Sequence, residues 1–296
     1  MEFKSFDNKK IYIHEWLEVD APNAIVQIIH GMAEHAGRYE KFAKFLNENG
    51  YLVVADDHRG HGKTDSETLG FCEGDMFEDT VHDEGEITKY YKEKYPNLKY
   101  FVFGFSYGSF ITQSYIGKYG ELIDGAVIAG SNKKKDYEVY LGSIVTGIFN
   151  FFGNQSKPSK LIERLSFGIY SKKFPDREWG SDDKENNKRY KEDKFCGFTC
   201  SNRFYADFFK GLKSLYTKTY KNSLRKDLPL LLMAGKNDPV GDMGKGMENL
   251  YEFYTKEVGI RDVELNLLDG YRHEFIQVEN NQEDRFREVL TFFENH

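Results

Sequence analysis

The sequence predicts an α/β fold, with a mostly parallel central sheet, helices on both faces and one helical insertion. Three observations predict it. Short apolar runs rich in β-branched residues alternate with segments of helical spacing. The runs are apolar throughout rather than at alternate positions, as strands covered on both faces require. The alternation stops between Ser131 and Arg225 and then resumes. A chain of 296 residues accommodates one large domain with such an insertion, and 40% hydrophobic residues supply a core.

The elements follow in order. Glu2–Phe6 and Lys10–Glu18 are expected to pair antiparallel across a turn at Asp7–Asn8. Ala24–Ile29 (AIVQII) is the first buried strand and runs into His30–Gly31. Tyr39–Asn49 has helical spacing at Phe42, Phe45 and Leu46 and stops at Gly50. Tyr51–Ala55 (YLVVA) is the second buried strand, followed by the glycine-rich loop DDHRGHGKTD. Met76–Tyr95 reads as a long helix ending before Pro96. Tyr100–Phe103 (YFVF) is a strand, Phe110–Tyr119 a helix, and Gly125–Ala129 (GAVIA) a strand. Residues 131–225 hold helical aromatic and basic stretches such as FYADFFKGLKSLY. The strand Pro229–Ala234 (PLLLMA), a helix around Lys245–Thr255, the strand Val263–Leu268 (VELNLL) and the helix Gln282–Phe293 complete the chain. The expected organisation is an α/β domain of residues 1–130 and 226–296, with residues 131–225 as a helical cap.

Charge and cysteine content narrow the function class. The net charge of −7 argues against general nucleic-acid binding. The charge is uneven: residues 131–225 hold 20 Lys and Arg against 11 Asp and Glu, and the remainder holds 21 against 37. A solvated surface is the commoner reading of such a basic middle. The sharper one is transient contact with an anionic lipid surface through Lys133–Lys135, Lys172 and Lys173. No run approaches the roughly 20 apolar residues of a membrane span. The polar start MEFKSFDNKKIYIHEW lacks a signal-peptide pattern. Cys72, Cys196 and Cys200 read as reduced thiols, so the cytoplasm is the expected location. Cys196 and Cys200 are spaced to share a helix face, with packing rather than zinc binding as their expected role.

Gly104-Phe105-Ser106-Tyr107-Gly108 fits G-x-S-x-G, between a strand and a helix. A tight turn there exposes the serine at the strand's carboxyl end, beside a helix N-terminus that favours developing negative charge. A serine hydroxyl needs a base to take its proton, and an acid to orient that base. Both follow the serine in the order acid, then histidine. PLLLMA leads into Gly235-Lys236-Asn237-Asp238, making Asp238 the candidate acid. Asp242 is its neighbour and rival, expected instead to cap a helix start. VELNLL leads into Asp269-Gly270-Tyr271-Arg272-His273, and His273 is the only histidine between Ser106 and the terminal His296. An oxyanion needs two N–H donors. The expected donors are the backbone N–H groups of Tyr107, directly after the serine, and Met32, in the loop after AIVQII. His30, His35, His58 and His61 are read as hydrogen-bonded loop residues rather than ligands, with no Cys or carboxylate cluster to complete a shell. No metal or other cofactor is expected.

HGMAEHAGRY (His30–Tyr39), DDHRGHGKTD (Asp56–Asp65), GFSYGS (Gly104–Ser109), GKNDPVG (Gly235–Gly241) and His273-Glu274 together resemble the monoacylglycerol lipase/lysophospholipase group of α/β-hydrolases, also described as serine aminopeptidase-like. The resemblance implies the α/β-hydrolase fold, a triad of Ser106, Asp238 and His273, and an oxyanion hole at Met32 and Tyr107. It also implies hydrolysis of carboxylic esters such as monoacylglycerols or lysophospholipids through an acyl-enzyme. The same triad supports amide or peptide cleavage as an amino- or iminopeptidase. A non-catalytic binding protein on this scaffold is the remaining alternative. The chain departs from the group at Phe105 and Tyr107, where histidine and methionine are common. Substrate-binding residues cannot be assigned from the sequence. Tyr140–Phe152 is apolar without a charge, and suits equally a helix lining an acyl site or lipid surface and a helix buried on the sheet domain.

Overall fold

The computed structural model describes residues 1–133 and 136–296. Eight strands form one sheet in the order β1-β2-β4-β3-β5-β6-β7-β8. They are β1 (Glu2–Lys4), β2 (Lys10–Trp16), β3 (Ala24–Ile29), β4 (Tyr51–Asp57), β5 (Lys99–Phe105), β6 (Gly125–Ala129), β7 (Leu230–Gly235) and β8 (Val263–Leu268). β1, β2 and β4 pair antiparallel, and every neighbouring pair from β4 to β8 is parallel. This is the mostly parallel, two-sided α/β sheet that the alternation predicts, and the α/β-hydrolase fold that the resemblance implies.

The helices of the α/β part are α1 (Glu40–Glu48), α2 (Glu78–Lys94), α3 (Tyr107–Tyr119), α9 (Lys245–Glu252) and α10 (Gln282–Asn295). Phe42 and Leu46 of α1 and Phe286 and Phe293 of α10 cover one face, against Val26, Phe101 and Phe103. Ile87 and Tyr91 of α2, Ile111 and Tyr115 of α3 and Leu250 of α9 cover the other, against Ile25, Val54 and Val102. Two covered faces explain why β3 to β7 are buried at every position except Lys99, the exposed first residue of β5. The one polar residue inside β3, Gln27, is fully paired. Its amide donates to Glu84, and its oxygen accepts from Thr88 (2.8 Å) and Tyr100 (2.5 Å).

Some boundaries differ from expectation. α3 begins three residues early, at Tyr107, because the helix starts directly after Ser106. α9 widens into a π-helical turn over Phe253–Val258 and ends on the left-handed Gly259. Asp242 caps nothing. It has φ 50° in a turn, and the helix starts only at Lys245, after Gly244. Cys196 and Cys200 share no helix, since both lie in the irregular segment before α7, and all three cysteines are free.

Between β6 and β7 the described residues contain α4 (Asp136–Phe152), α5 (Lys160–Ser171), α6 (Lys184–Glu192), α7 (Asn202–Ser214) and α8 (Lys218–Ser223), with an isolated bridge joining Pro158 and Ser201. α7 and α8 dock on α3. The Tyr107 ring lies 4.9 Å from Phe204 and 5.3 Å from Phe208, and Tyr220 donates to the Gln113 carbonyl at 2.7 Å. α4 packs on α7 where Gly142 meets the Phe209 ring, and turns its other side outward. Ile148, Phe151 and Phe152 are exposed there, as are Leu161, Leu165 and Ile169 on α5. Lys172 and Lys173 are exposed, whereas Lys133 is half-buried over the Tyr216 and Phe253 rings, 4.0 Å from Glu257. Lys134 and Lys135 lie outside the described residues. No described helix is long and apolar enough to cross a membrane.

Candidate active site

Ser106 joins β5 to α3 with φ 54° and ψ −118°, a backbone conformation that costs an ordinary residue about 1–3 kcal/mol. The surroundings hold it there. Its N–H donates to the Ala129 carbonyl at 2.9 Å, and its own carbonyl accepts from Ser109 N–H at 2.9 Å. Gly108 is needed because a Cβ there would sit 2.0 Å from the Ile29 carbonyl. The first turn of α3 thus passes directly over the end of β3.

Parallel strands bring their carboxyl ends to one edge, and the other sequence-predicted residues arrive there from β3, β7 and β8. Asp238 follows β7 and is fully buried. Its Oδ1 accepts from Val240 N–H at 2.8 Å, and its Oδ2 lies 2.8 Å from His273 Nδ1. His273 Nε2 lies 2.8 Å from Ser106 Oγ. A carboxylate only accepts, so Nδ1 carries the proton and Nε2 accepts from the serine hydroxyl. Burial pulls the His273 pKa down, but the charge and hydrogen bond of Asp238, with Glu274 and Glu34 behind them, outweigh it and leave it above its ordinary value.

Gly31 and Met32 lie on the neighbouring loop, where a Cβ on Gly31 would sit 3.2 Å from Ser106 Cβ. Among the described residues, neither Met32 N–H nor Tyr107 N–H donates to a protein acceptor. The loop is held from behind by histidines. His30 Nε2 accepts from His58 N–H at 3.0 Å, so its Nδ1 donates to the Gly31 carbonyl at 2.7 Å. That carbonyl belongs to the same peptide unit as Met32 N–H. Burial and the nearby His58 charge keep His30 neutral. His58 meets only acceptors, Asp56 Oδ2 at Nδ1 and the His30 carbonyl at Nε2, both at 3.0 Å. It is therefore the doubly protonated imidazolium. Burial opposes this, but the Asp56 charge overcomes it and raises its pKa. His61 accepts from Ala33 N–H at 3.2 Å and is pushed down to about 4 by burial and His58. These histidines are hydrogen-bonded loop residues, as expected.

The expectation that no Cys or carboxylate gathers near them fails. His35, Asp193 and Cys196 bring potential ligand atoms within 4.8 Å of one another, and so do Asp56, His58 and Glu84. Neither group suits a metal. His35 Nδ1 accepts from Gly37 N–H, so its proton is on Nε2, facing Asp193 at 2.9 Å. Coordination through Nε2 would move that proton onto Nδ1, against the Gly37 donor. In the second group a metal would have to displace the Nδ1 proton that His58 shares with Asp56.

Sequence reasoning assigned no role to Glu34, Arg38 or Glu274. Glu34 Oε1 accepts from Gly31 N–H at 2.6 Å and from Tyr39 Oη–H at 2.8 Å. Arg38 donates to Glu34, and to Glu274 at 3.0 Å. Asn186 of α6 donates to the same Glu274 oxygen at 2.6 Å, and the Tyr190 ring lies 4.9 Å from the Arg38 guanidinium. One half-buried arginine therefore joins the Gly31 loop, the residue after His273, and α6. The i,i+4 spacing of Glu34 and Arg38 was the only signal for it.

Ser106 and His273 line a cavity of about 680 Å³. Phe110, Phe208, Phe209 and Leu212 form an apolar wall, and the Tyr107 side chain is buried behind it among α7 aromatics. Every carboxylate lining the cavity has a partner: Glu34 and Glu274 pair with Arg38, Glu163 accepts from Thr199, and Glu178 pairs with Lys191.

The family described as serine aminopeptidase, S33, matches residues 20–281. Among curated proteins, the chain is 35% identical over 108 residues to a monoglyceride lipase homolog of monkeypox virus, which covers 36% of this chain and 38% of that one. It is 32% identical over 105 residues to the human monoglyceride lipase, covering 36% of this chain and 34% of that one. The chain thus matches less than half the length of these relatives. Among solved structures, a thermostable carboxyl esterase from Bacillus coagulans, in complex with glycerol, superposes with a TM-score of 0.90 at 25% identity, covering 100% of this chain and 97% of that one.

Proposed function

The chain belongs to the serine aminopeptidase S33 family of α/β-hydrolases, and from that premise we propose that it is a serine hydrolase of carboxylic esters. The observation that carries this reading is the unbroken chain Ser106 Oγ, His273, Asp238, with both links at 2.8 Å, at the wall of an aromatic cavity.

The proposed mechanism follows from the geometry. Ser106 Oγ attacks the ester carbonyl as its proton passes to His273 Nε2. Asp238 holds the tautomer and stabilises the imidazolium. The N–H groups of Met32 and Tyr107 receive the oxyanion, with His30 aligning the first through the Gly31 carbonyl. The imidazolium returns its proton to the leaving alkoxide, and a water molecule then releases the acid by the same route.

The substrate class proposed is a monoacylglycerol or lysophospholipid, with the acyl chain along Phe110, Phe208, Phe209 and Leu212. The monoglyceride lipase relatives and the esterase neighbour support it. An aminopeptidase needs an unpaired carboxylate for the substrate ammonium. Three of the four cavity carboxylates face a cation, and Glu163, which accepts only from the Thr199 hydroxyl, is the one carboxylate that reading has left. We read residues 131–225 as a cap over the α/β domain of residues 1–130 and 226–296. The exposed apolar side of α4 and α5, rimmed by Lys172 and Lys173, suits transient contact with a lipid surface. Three free cysteines accord with a reducing compartment, and the cytoplasm is the proposed location.

The test is labelling by a fluorophosphonate probe, with a panel of esters of graded acyl length beside amino-acid arylamides. Labelling and ester hydrolysis, both lost in Ser106→Ala, are the expected result. An intact protein that neither labels nor cleaves any ester would overturn the reading.

A further inference from the structure

The loop that carries His273 is strapped to residues 176–180 on both of its sides. Arg272, one residue before, donates from Nη1 to both Asp176 carboxylate oxygens at 2.9 and 2.8 Å and to the Glu178 carbonyl at 2.6 Å. Its guanidinium carbon lies 4.3 Å from the Phe174 ring centroid. Glu274, one residue after, donates its N–H to the Gly180 carbonyl at 2.7 Å. Trp179 sits between these anchors. Its ring lies 5.4 Å from the His273 imidazole at an interplanar angle of 37°. The Phe105 ring, from the sheet side, lies 5.0 Å from the same imidazole at 36°. Tyr170 of α5 backs Trp179 at 5.6 Å. The strap also carries a left-handed residue, Arg177 at φ 61°, two positions before the tryptophan. Such backbone persists where its surroundings over-determine it.

We propose that Trp179 is a positioning residue for the base, fixing the imidazole plane together with Phe105 and stabilising the imidazolium. The inference rests on the reading of Ser106 and His273 as nucleophile and base. When the bond from Ser106 Oγ to the carbonyl carbon forms, the serine proton moves to Nε2 and the ring becomes cationic. Aromatic rings attract a cation in a desolvated site through their quadrupole. The charged groups around the ring are Asp238 at Nδ1, then Glu274 and Glu34, with Arg38 between those two. Trp179 comes from the 131–225 insertion, so the seating of that insertion sets the strength of a base on the sheet.

The experiment compares pH profiles of kcat/KM and kcat for a soluble short-chain ester in the unmodified protein, Trp179→Phe and Trp179→Leu. Leucine removes the π face but keeps the site apolar. A base active as neutral imidazole gives activity that rises with pH through its pKa, so loss of imidazolium stabilisation moves the acid limb downward. The expected shift in Trp179→Leu is about 0.5–1 pH unit, with kcat lower by about 3–10-fold and KM little changed. Trp179→Phe keeps the midpoint. An unmoved midpoint in Trp179→Leu, or equal losses in both variants, overturns the proposal.

A second readout needs no turnover. The chain has two tryptophans, and the other, Trp16, stacks on His14 at 5.7 Å. In Trp16→Phe, the remaining Trp179 emission should be quenched on acidification as the adjacent imidazole gains its proton, and His273→Gln should abolish that titration. Emission that ignores His273 overturns the proposal. Absence of Ser106-dependent hydrolysis in the unmodified protein overturns the ester-hydrolase reading instead, and leaves the fluorescence titration to decide the role of Trp179.

Discussion

At the carboxyl edge of the sheet, Asp238 is fully buried, His273 is 3% exposed, and each polar atom of the pair meets a partner. On α4 the pattern reverses: Phe151 and Phe152 are 80% and 82% exposed, with no polar group for them to serve. Both regions carry an unfavourable element. The first holds ionisable groups away from water, and the second holds large apolar groups in it. The edge compensates locally, with hydrogen bonds and opposite charge. The outer side of α4 and α5 has no such compensation within the described residues. On the proposed function, the site beneath supplies the chemistry and the apolar surface above receives the substrate.

Three variants break or sharpen this contrast. The largest effect is expected at the edge. Asp238→Asn presents an amide N–H to His273 Nδ1 and imposes the wrong tautomer. The kcat for a short-chain ester should fall by roughly 10⁴-fold while the far-UV circular dichroism is unchanged. Next, Arg38→Ala leaves the buried Glu34 and the half-buried Glu274 without their cation. Unfolding in denaturant should show a loss of about 3–5 kcal/mol if the pairs behave as buried ones do. A loss below about 1 kcal/mol would mean that the cluster is solvated in practice. The smallest effect on the fold is expected above it. Phe151→Ser with Phe152→Ser should leave stability within about 0.5 kcal/mol per substitution and leave soluble-ester turnover unchanged. Hydrolysis of a long-chain ester in vesicles should fall severalfold. Equal rates in vesicles would show that α4 delivers nothing.

The contrast also marks what was legible in the sequence. Ser106, Asp238 and His273 could be read because each ends an apolar run, and parallel strands gather their carboxyl ends. The Gly31–Met32 loop, proposed to receive the oxyanion, follows β3 and was legible for the same reason. Trp179 could not, because it lies in an insertion without strand rhythm, and only the tertiary clamp at Arg272 and Glu274 brings it to the imidazole. Asp242 was misread because an acidic residue near a helix start does not reveal where the first turn begins. The cysteine spacing misled because four-residue spacing matters only where a helix exists. Tyr140–Phe152 is apolar on every side, so its periodicity could not say which side faced water, and the ring of Phe209 against Gly142 decided it.

The strand order has a consequence for biosynthesis. Ser106 and His273 are separated by 167 residues, and His273 follows β8, the strand at the far edge of the sheet. A ribosome completes the nucleophile turn long before it makes the base. The emerging chain can fold its early strands around a poised serine, yet no proton acceptor exists until the last strand is added. On the proposed mechanism, loss of the final strand and the loop after it yields an inert chain rather than an unregulated hydrolase.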